Sequence, residues 1–100
     1  MFETAINFHQ QGELQRAEHL YREVLRQQPQ HPDALNMLGV LGCQSGNLAG
    51  GIELIRQALH LHPEHADYNN NLGTALLQCG DRDGALAAFQ RAVKARPRFA

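Results

Sequence analysis

The chain has 100 residues, 43% of them hydrophobic and 19% charged, with nine basic against ten acidic side chains and a formal net charge of -1. This is the composition of an ordinary folded domain, and with a pI near 6.6 it argues against a protein built to grip nucleic acid or an anionic membrane, since both call for a surplus of Lys and Arg. Glu3 stands where a secretory leader carries basic residues, no run reaches the roughly 18 apolar residues of a membrane span, and Cys43 and Cys79 form neither a Cys-x-x-Cys pair nor a disulfide framework; a cytoplasmic protein is expected.

The chain reads as helices, and no strand is predicted. Helices are expected at 2–11, 14–27, 32–44, 48–61, 66–78 and 82–95. The last two show the reasoning best. Leu72, Ala75, Leu76 and Cys79, and then Ala85, Leu86, Ala88, Phe89, Ala92 and Val93, recur at three- and four-residue steps that place each set on one helix face. Gly80 suits the left-handed conformation that ends a helix, Asp81 is expected to cap the next one, and Pro97 to stop it. Gly12-Glu13 and Gly46-Asn47 repeat that punctuation earlier in the chain.

A shift of 34 residues aligns Gly12 with Gly46 and Gly80, and Pro29 with Pro63 and Pro97. The same shift superposes Gln10, Gln44 and Gln78; Ala17, Gly51 and Ala85; Tyr21, Ile55 and Phe89; and Leu25, Leu59 and Val93. The second and third copies also share Leu38-Gly39 with Leu72-Gly73, and Ala58 with Ala92. A period of this length signals stacked helical hairpins. The copies are expected at 1–31, which enters a few positions late, at 32–65 and at 66–99, together forming one domain over 1–100. Small residues at Ala17, Gly39, Gly51, Gly73 and Ala85 allow the two helices of a copy to cross closely, while Tyr21, Leu38, Ile55, Leu72 and Phe89 fill the space around them. No copy buries that surface alone, so each uses its neighbour as the other half of its core.

At these residues the chain resembles the tetratricopeptide repeat family. The third copy carries Leu72, Gly73, Gly80, Ala85, Phe89, Ala92 and Pro97 where the family pattern wants them. The second keeps Leu38, Gly39, Gly46, Ala58 and Pro63 but has Gly42 for a large residue and Gly51 for alanine, and the first keeps Phe8, Gly12, Ala17, Tyr21 and Pro29 with Ala5 and Val24 as departures. The resemblance implies an all-α, right-handed solenoid of three helix-turn-helix repeats, whose first helices line a concave groove that binds peptides or proteins. The segments HPDALNMLGVLGCQSG and HPEHADYNNNLGTALLQCGD are similar to the repeat region that precedes the catalytic domain of O-linked N-acetylglucosamine transferases. There an asparagine before Leu-Gly contacts the backbone of bound polypeptide; Asn71 fits that place, whereas Met37 and Glu3 occupy it in the other copies. A subclass of the family holds the carboxyl terminus of chaperones through basic residues. The matching places here are Phe2, Ile6, Met37, Asp67 and Asn71, none of them basic, which excludes that ligand.

Helical phase assigns the groove wall to Ile6, His9 and Gln10, then Asn36, Val40, Cys43 and Gln44, then Asn70, Asn71, Thr74, Leu77 and Gln78. The set is uncharged apart from His9 and rich in amides, which donate and accept hydrogen bonds and so suit an extended peptide backbone.

Other chemistry has less to stand on. His60, His62 and His65 crowd around Pro63, but a proline between them leaves at best a loose chelate. Their expected place is near a helix carboxyl end, with His9, His19 and His31 scattered on the surface, so neither metal nor cofactor is expected. Cys43, Cys79, Ser45 and Thr74 lack a base and an orienting acid, and no catalytic residue is assigned. Arg91, Lys94, Arg96 and Arg98 form the only basic concentration, without the interleaved aromatics of a nucleic-acid site.

Gly42, Gly50 and Gly51 should soften the middle copy, at about 1 kcal/mol each relative to alanine. The reading is therefore a non-enzymatic interaction module, with the recognition segment of a larger O-linked glycosyltransferase as the alternative. No polar capping helix follows Pro97, so self-association or further repeats are expected at the C-terminal end.

Overall fold

Gly12, Gly46 and Gly80 adopt φ values of 82°, 94° and 90°, a left-handed conformation that costs a glycine nothing. Each ends one helix and lets the next begin two residues later. A computed structural model describes residues 1–96. Across them the chain forms α1 (Phe2–Gln10), α2 (Leu14–Gln27), α3 (Pro32–Gln44), α4 (Leu48–Leu61), α5 (Ala66–Gln78) and α6 (Arg82–Ala95), with no strand among the described residues. These are the helices expected from periodicity, except that α1 ends at Gln10. Pro97, the expected stop of α6, lies outside the described residues.

The helix starts divide into two kinds. Asn47 and Asp81 cap α4 and α6 as expected, their Oδ1 atoms accepting from the amides of Gly50 at 3.1 Å and Gly84 at 2.9 Å. Glu13 does not cap α2; its longer side chain pairs with Arg16 at 3.7 Å instead. The other start is made by histidine. Nδ1 of His31 accepts from the Ala34 amide at 3.0 Å and Nδ1 of His65 from the Tyr68 amide at 3.4 Å. This corrects the expectation of a carboxyl-end site for His65 and a scattered surface site for His31: both stand half-buried at amino ends, of α5 and α3. An imidazole nitrogen serves there only while it keeps its lone pair.

Three hairpins, α1/α2, α3/α4 and α5/α6, stack in sequence, α3 covering α2 and α5 covering α4. The small residues work as expected. A Cβ on Gly39 would stand 2.7 Å from the carbonyl oxygen of Gly51, and one on Gly51 would stand 2.5 Å from that of Gly39, so α3 and α4 approach backbone to backbone. Ala17 and Ala85 are buried at the same crossings.

The core is shared between hairpins. Tyr21 of α2 packs with Leu38 and Leu41 of α3, and Ile55 of α4 packs with Leu72 and Leu76 of α5. A third cluster joins Leu35, Ala58 and Tyr68. Tyr21, Ile55 and Leu72 are among the largest fully buried side chains, and burial of such groups stabilises by roughly 1.5–3 kcal/mol each. The buried clusters thus lie at the junctions between hairpins, so each hairpin shares its core with a neighbour.

Candidate functional site

Helices α3 and α5 touch directly, and with α1 they present one surface. Three side-chain pairs tie neighbouring copies together, each spanning 35 residues: His9 with Gln44, Tyr68 with Asp33, and Asn71 with Asn36. That is one repeat plus one position. Oε1 of Gln44 lies 2.7 Å from Nε2 of His9 and can only accept, so Nε2 carries a proton, and in the neutral ring Nδ1 then accepts from the Tyr21 hydroxyl 2.9 Å away. The chain Tyr21–His9–Gln44 thereby links the core of α2 to the inner surface of α3.

A cleft of about 160 Å³ opens between α3 and α5, lined by Val40, Cys43, Gln44, Asn71, Thr74 and Gln78, with Ile55 and Ala75 beneath. It carries no charged side chain. Six of the residues assigned to the groove by helical phase (Val40, Cys43, Gln44, Asn71, Thr74 and Gln78) meet here, and His9 reaches it through Gln44. The others are placed elsewhere. Ile6 packs against the first core cluster, Gln10 is exposed on α1, and Leu77 is 52% exposed. Asn36 is buried, its Oδ1 accepting from Nδ2 of Asn71 at 3.2 Å.

Three consecutive asparagines serve three different places because each helical step turns the side chain by about 100°. Asn69 is fully buried, donating to the carbonyls of Pro63 and His65 at 3.1 Å and accepting from Nε of Arg91 at 3.2 Å. Asn70 faces a separate cleft of about 230 Å³ on the α6 side, with Asp67, Phe89, Val93 and Arg96. Asn71 faces α3. Sequence reasoning did not single out Asn69, nor Asp33 and Tyr68. A signal was present for the capping histidines: His31 and His65 superpose under the repeat shift, just before each helix start.

Titration follows burial. Burial pushes the Tyr21 phenol up to about 12. Burial also raises Tyr68, helped by its hydrogen bond to Asp33. The Cys43 thiol is raised chiefly by burial, which makes it a poorer nucleophile at the edge of the cleft. Cys79 is exposed, its Sγ donating to the Leu76 carbonyl at 3.3 Å. Among the described residues there is no group of three or more His, Cys, Asp or Glu placed to hold a metal, and no helix long and apolar enough to cross a membrane.

The sequence profile described as Tetratricopeptide repeat matches residues 2–58 and 43–98. No curated protein matches the chain. Among solved structures, a mutant of the Thermobaculum terrenum O-GlcNAc transferase superposes with a TM-score of 0.94 at 28% identity, over 98% of this chain and 19% of that one. A crystal structure of MamA superposes with a TM-score of 0.83 at 23% identity, over 95% of this chain and 56% of that one. A MamA fragment from Desulfovibrio magneticus gives 0.64 at 20% identity, over 98% and 75%. The MamA structures share the fold. The chain thus spans about a fifth of the length of the transferase and little over half of the first MamA. With two overlapping profile matches that cover nearly all of its length, and three stacked hairpins forming a right-handed all-α solenoid, the chain belongs to the tetratricopeptide repeat family.

Proposed function

We propose that the chain is a non-enzymatic interaction module, with repeats at 1–31, 32–65 and 66–99, which binds an extended segment of a protein partner along the inner surface. The observation that carries this reading is the uncharged cleft between α3 and α5. Gln44, Thr74 and Gln78 offer amide and hydroxyl groups at its walls, with Val40 between them. Amides and hydroxyls pair with peptide backbone whatever its side-chain charge. A second surface, the outer face of α6, is where self-association or further repeats would add to the stack. No cofactor, nucleic acid or membrane enters this reading, and the cytoplasm is the expected compartment.

The test is selection from a random peptide library, followed by titration of the selected peptide. Thr74→Lys and Gln78→Ala, both at exposed positions, are expected to weaken binding about tenfold or more, as central contact residues do. Glu53→Ala, on α4, should leave it unchanged. Equal binding by all three variants would place the site off the inner surface.

The likeness to the transferase of Thermobaculum terrenum, at 28% identity across 98% of this chain, favours one further reading. In it the chain is the substrate-recognition arm of a larger O-linked glycosyltransferase. A glycosyltransferase domain in the same reading frame of the source gene would establish it.

A further inference from the structure

Phe8 and Leu76 stand at the register where the middle repeat has Gly42. At the second junction Leu76 is buried with Ile55, Ala85 and Ala88, and Ile52 packs against the same cluster. At the first junction the 34-residue shift puts Gly42 in place of Leu76, Gly51 in place of Ala85 and Glu18 in place of Ile52. Three positions lose apolar bulk together. Leu41 and Leu54 are larger than their counterparts Ala75 and Ala88, yet a cavity of about 330 Å³ stays open between α2 and the α3/α4 hairpin, with Leu38, Leu41 and Leu54 on its walls. Its edge is polar. Arg22 donates through Nε to Glu18 at 3.0 Å, and Asn47 gives its Oδ1 to the Gly50 amide while its Nδ2 remains a donor.

We infer that this notch on the α2/α4 side is a docking site for a protein partner that inserts one large aliphatic or aromatic side chain into it. The chain itself supplies the template, because at the next junction the same place is filled by the leucine side chain of Leu76. Size points the same way. Sites for small molecules run from about 300 to 1,000 Å³, and this one stands at the lower bound, with room for a single bulky group. Apolar walls inside a polar edge reproduce the layout of a protein contact, in which a buried anchor carries the binding and polar groups around it pair with the backbone on either side. A free hydrocarbon would leave those edge groups without use. The inner surface is made by α1, α3 and α5, so the notch is separate from the α3/α5 cleft.

The test selects peptides from a random library on the full chain and counter-selects on Gly42→Leu, whose added side chain fills the notch as Leu76 fills its counterpart. Peptides kept by the parent and lost on Gly42→Leu are expected to share one Leu, Ile, Met or Phe, and replacing that residue by alanine should weaken binding about tenfold or more. In amide NMR spectra of the parent, N-acetyl-leucinamide should shift Gly42, Ser45 and Gly50, and N-acetyl-lysinamide should not. Neither of these two measurements depends on a variant that folds. Thr74→Lys should leave the notch peptides bound, and peptides of the α3/α5 cleft should bind Gly42→Leu as they bind the parent, so failure at one site is distinguishable from failure at the other. No peptide lost on counter-selection, lost peptides with no apolar residue in common, or amide shifts confined to the inner surface would overturn the site. So would sedimentation showing the parent as a dimer that Gly42→Leu dissociates, because a second copy, through its exposed Leu86 or Val93, would then be the occupant.

Discussion

Asn71 on α5 donates through Nδ2 to Oδ1 of Asn36 on α3, 3.2 Å away and 35 residues earlier, and in doing so satisfies a side chain that is only 4% exposed. The neighbouring Asn70 is exposed on the α6 side of the same helix. Asn71→Ala is therefore expected to leave a buried carbonyl without its partner and to destabilise the chain by about 1–3 kcal/mol, while Asn70→Ala stays within about 0.5 kcal/mol. Urea unfolding of the two variants checks this. Equal effects would mean that the pair does not hold the second and third hairpins together. Binding lost in Asn71→Ala should be read against this stability cost, which is why Thr74 and Gln78 are the better probes of the cleft.

The glycines of the middle repeat should respond in opposite directions. Gly51→Ala sets a Cβ 2.5 Å from the Gly39 carbonyl oxygen; relief requires α3 and α4 to separate, and a loss of about 1–3 kcal/mol is expected. At Gly42 a Cβ meets nothing closer than the Gly51 Cα at 3.4 Å, beside a cavity of about 330 Å³ lined in part by Leu38, Leu41 and Leu54. Gly42→Ala should gain about 1 kcal/mol from helix propensity, and Gly42→Leu should also stabilise by extending into that space. Thermal melts decide it. A lowered melting temperature for Gly42→Ala would show that the position needs glycine after all.

The histidine caps predict a substitution pattern. His31→Ala removes the acceptor for the Ala34 amide and should cost about 1 kcal/mol, within the range measured for N-cap removal. His31→Asn supplies a side-chain oxygen at the same place and should recover most of that loss. Equal stability of the Ala and Asn variants, measured by denaturant titration, would show that packing of His31 against Phe2, 4.9 Å between ring centroids, matters more than the cap.

High pH should unfold the chain through its buried phenols. In the folded chain Tyr21 is raised to about 12 by burial, against an unfolded value near 10. A group raised in this way adds stability that is fully present below the unfolded value and is lost as pH climbs through the folded one. Stability should therefore fall between about pH 10 and 12, with Tyr68, also raised by burial and by Asp33, adding to the slope. Tyr21→Phe is expected to flatten the decline while lowering stability at neutral pH, since Nδ1 of His9 loses the hydroxyl that donates to it. An unchanged slope in Tyr21→Phe would contradict the assignment.

The amino-acid sequence by itself determined the number, type and limits of the helices, because apolar spacing, turn glycines and small residues at the crossings act within one repeat and recur at each 34-residue shift. It also determined that the inner surface is uncharged and amide-rich around Gln44, Asn71 and Gln78. Only the tertiary structure decided which of those amides remain available. Asn36, Asn70 and Asn71 look alike in a helical projection, yet one is buried beneath the next repeat, one faces the outer cleft of α6 and one bridges α3 and α5. The links that separate them run over 35 residues between different hairpins, and an offset of one position beyond the repeat follows from how the hairpins stack, a geometry that no window along the chain contains. The same holds for His9, whose partners Tyr21 and Gln44 lie on two other helices. Local periodicity sets which face of a helix is polar, but a side chain's availability depends on what the neighbouring helix places against it.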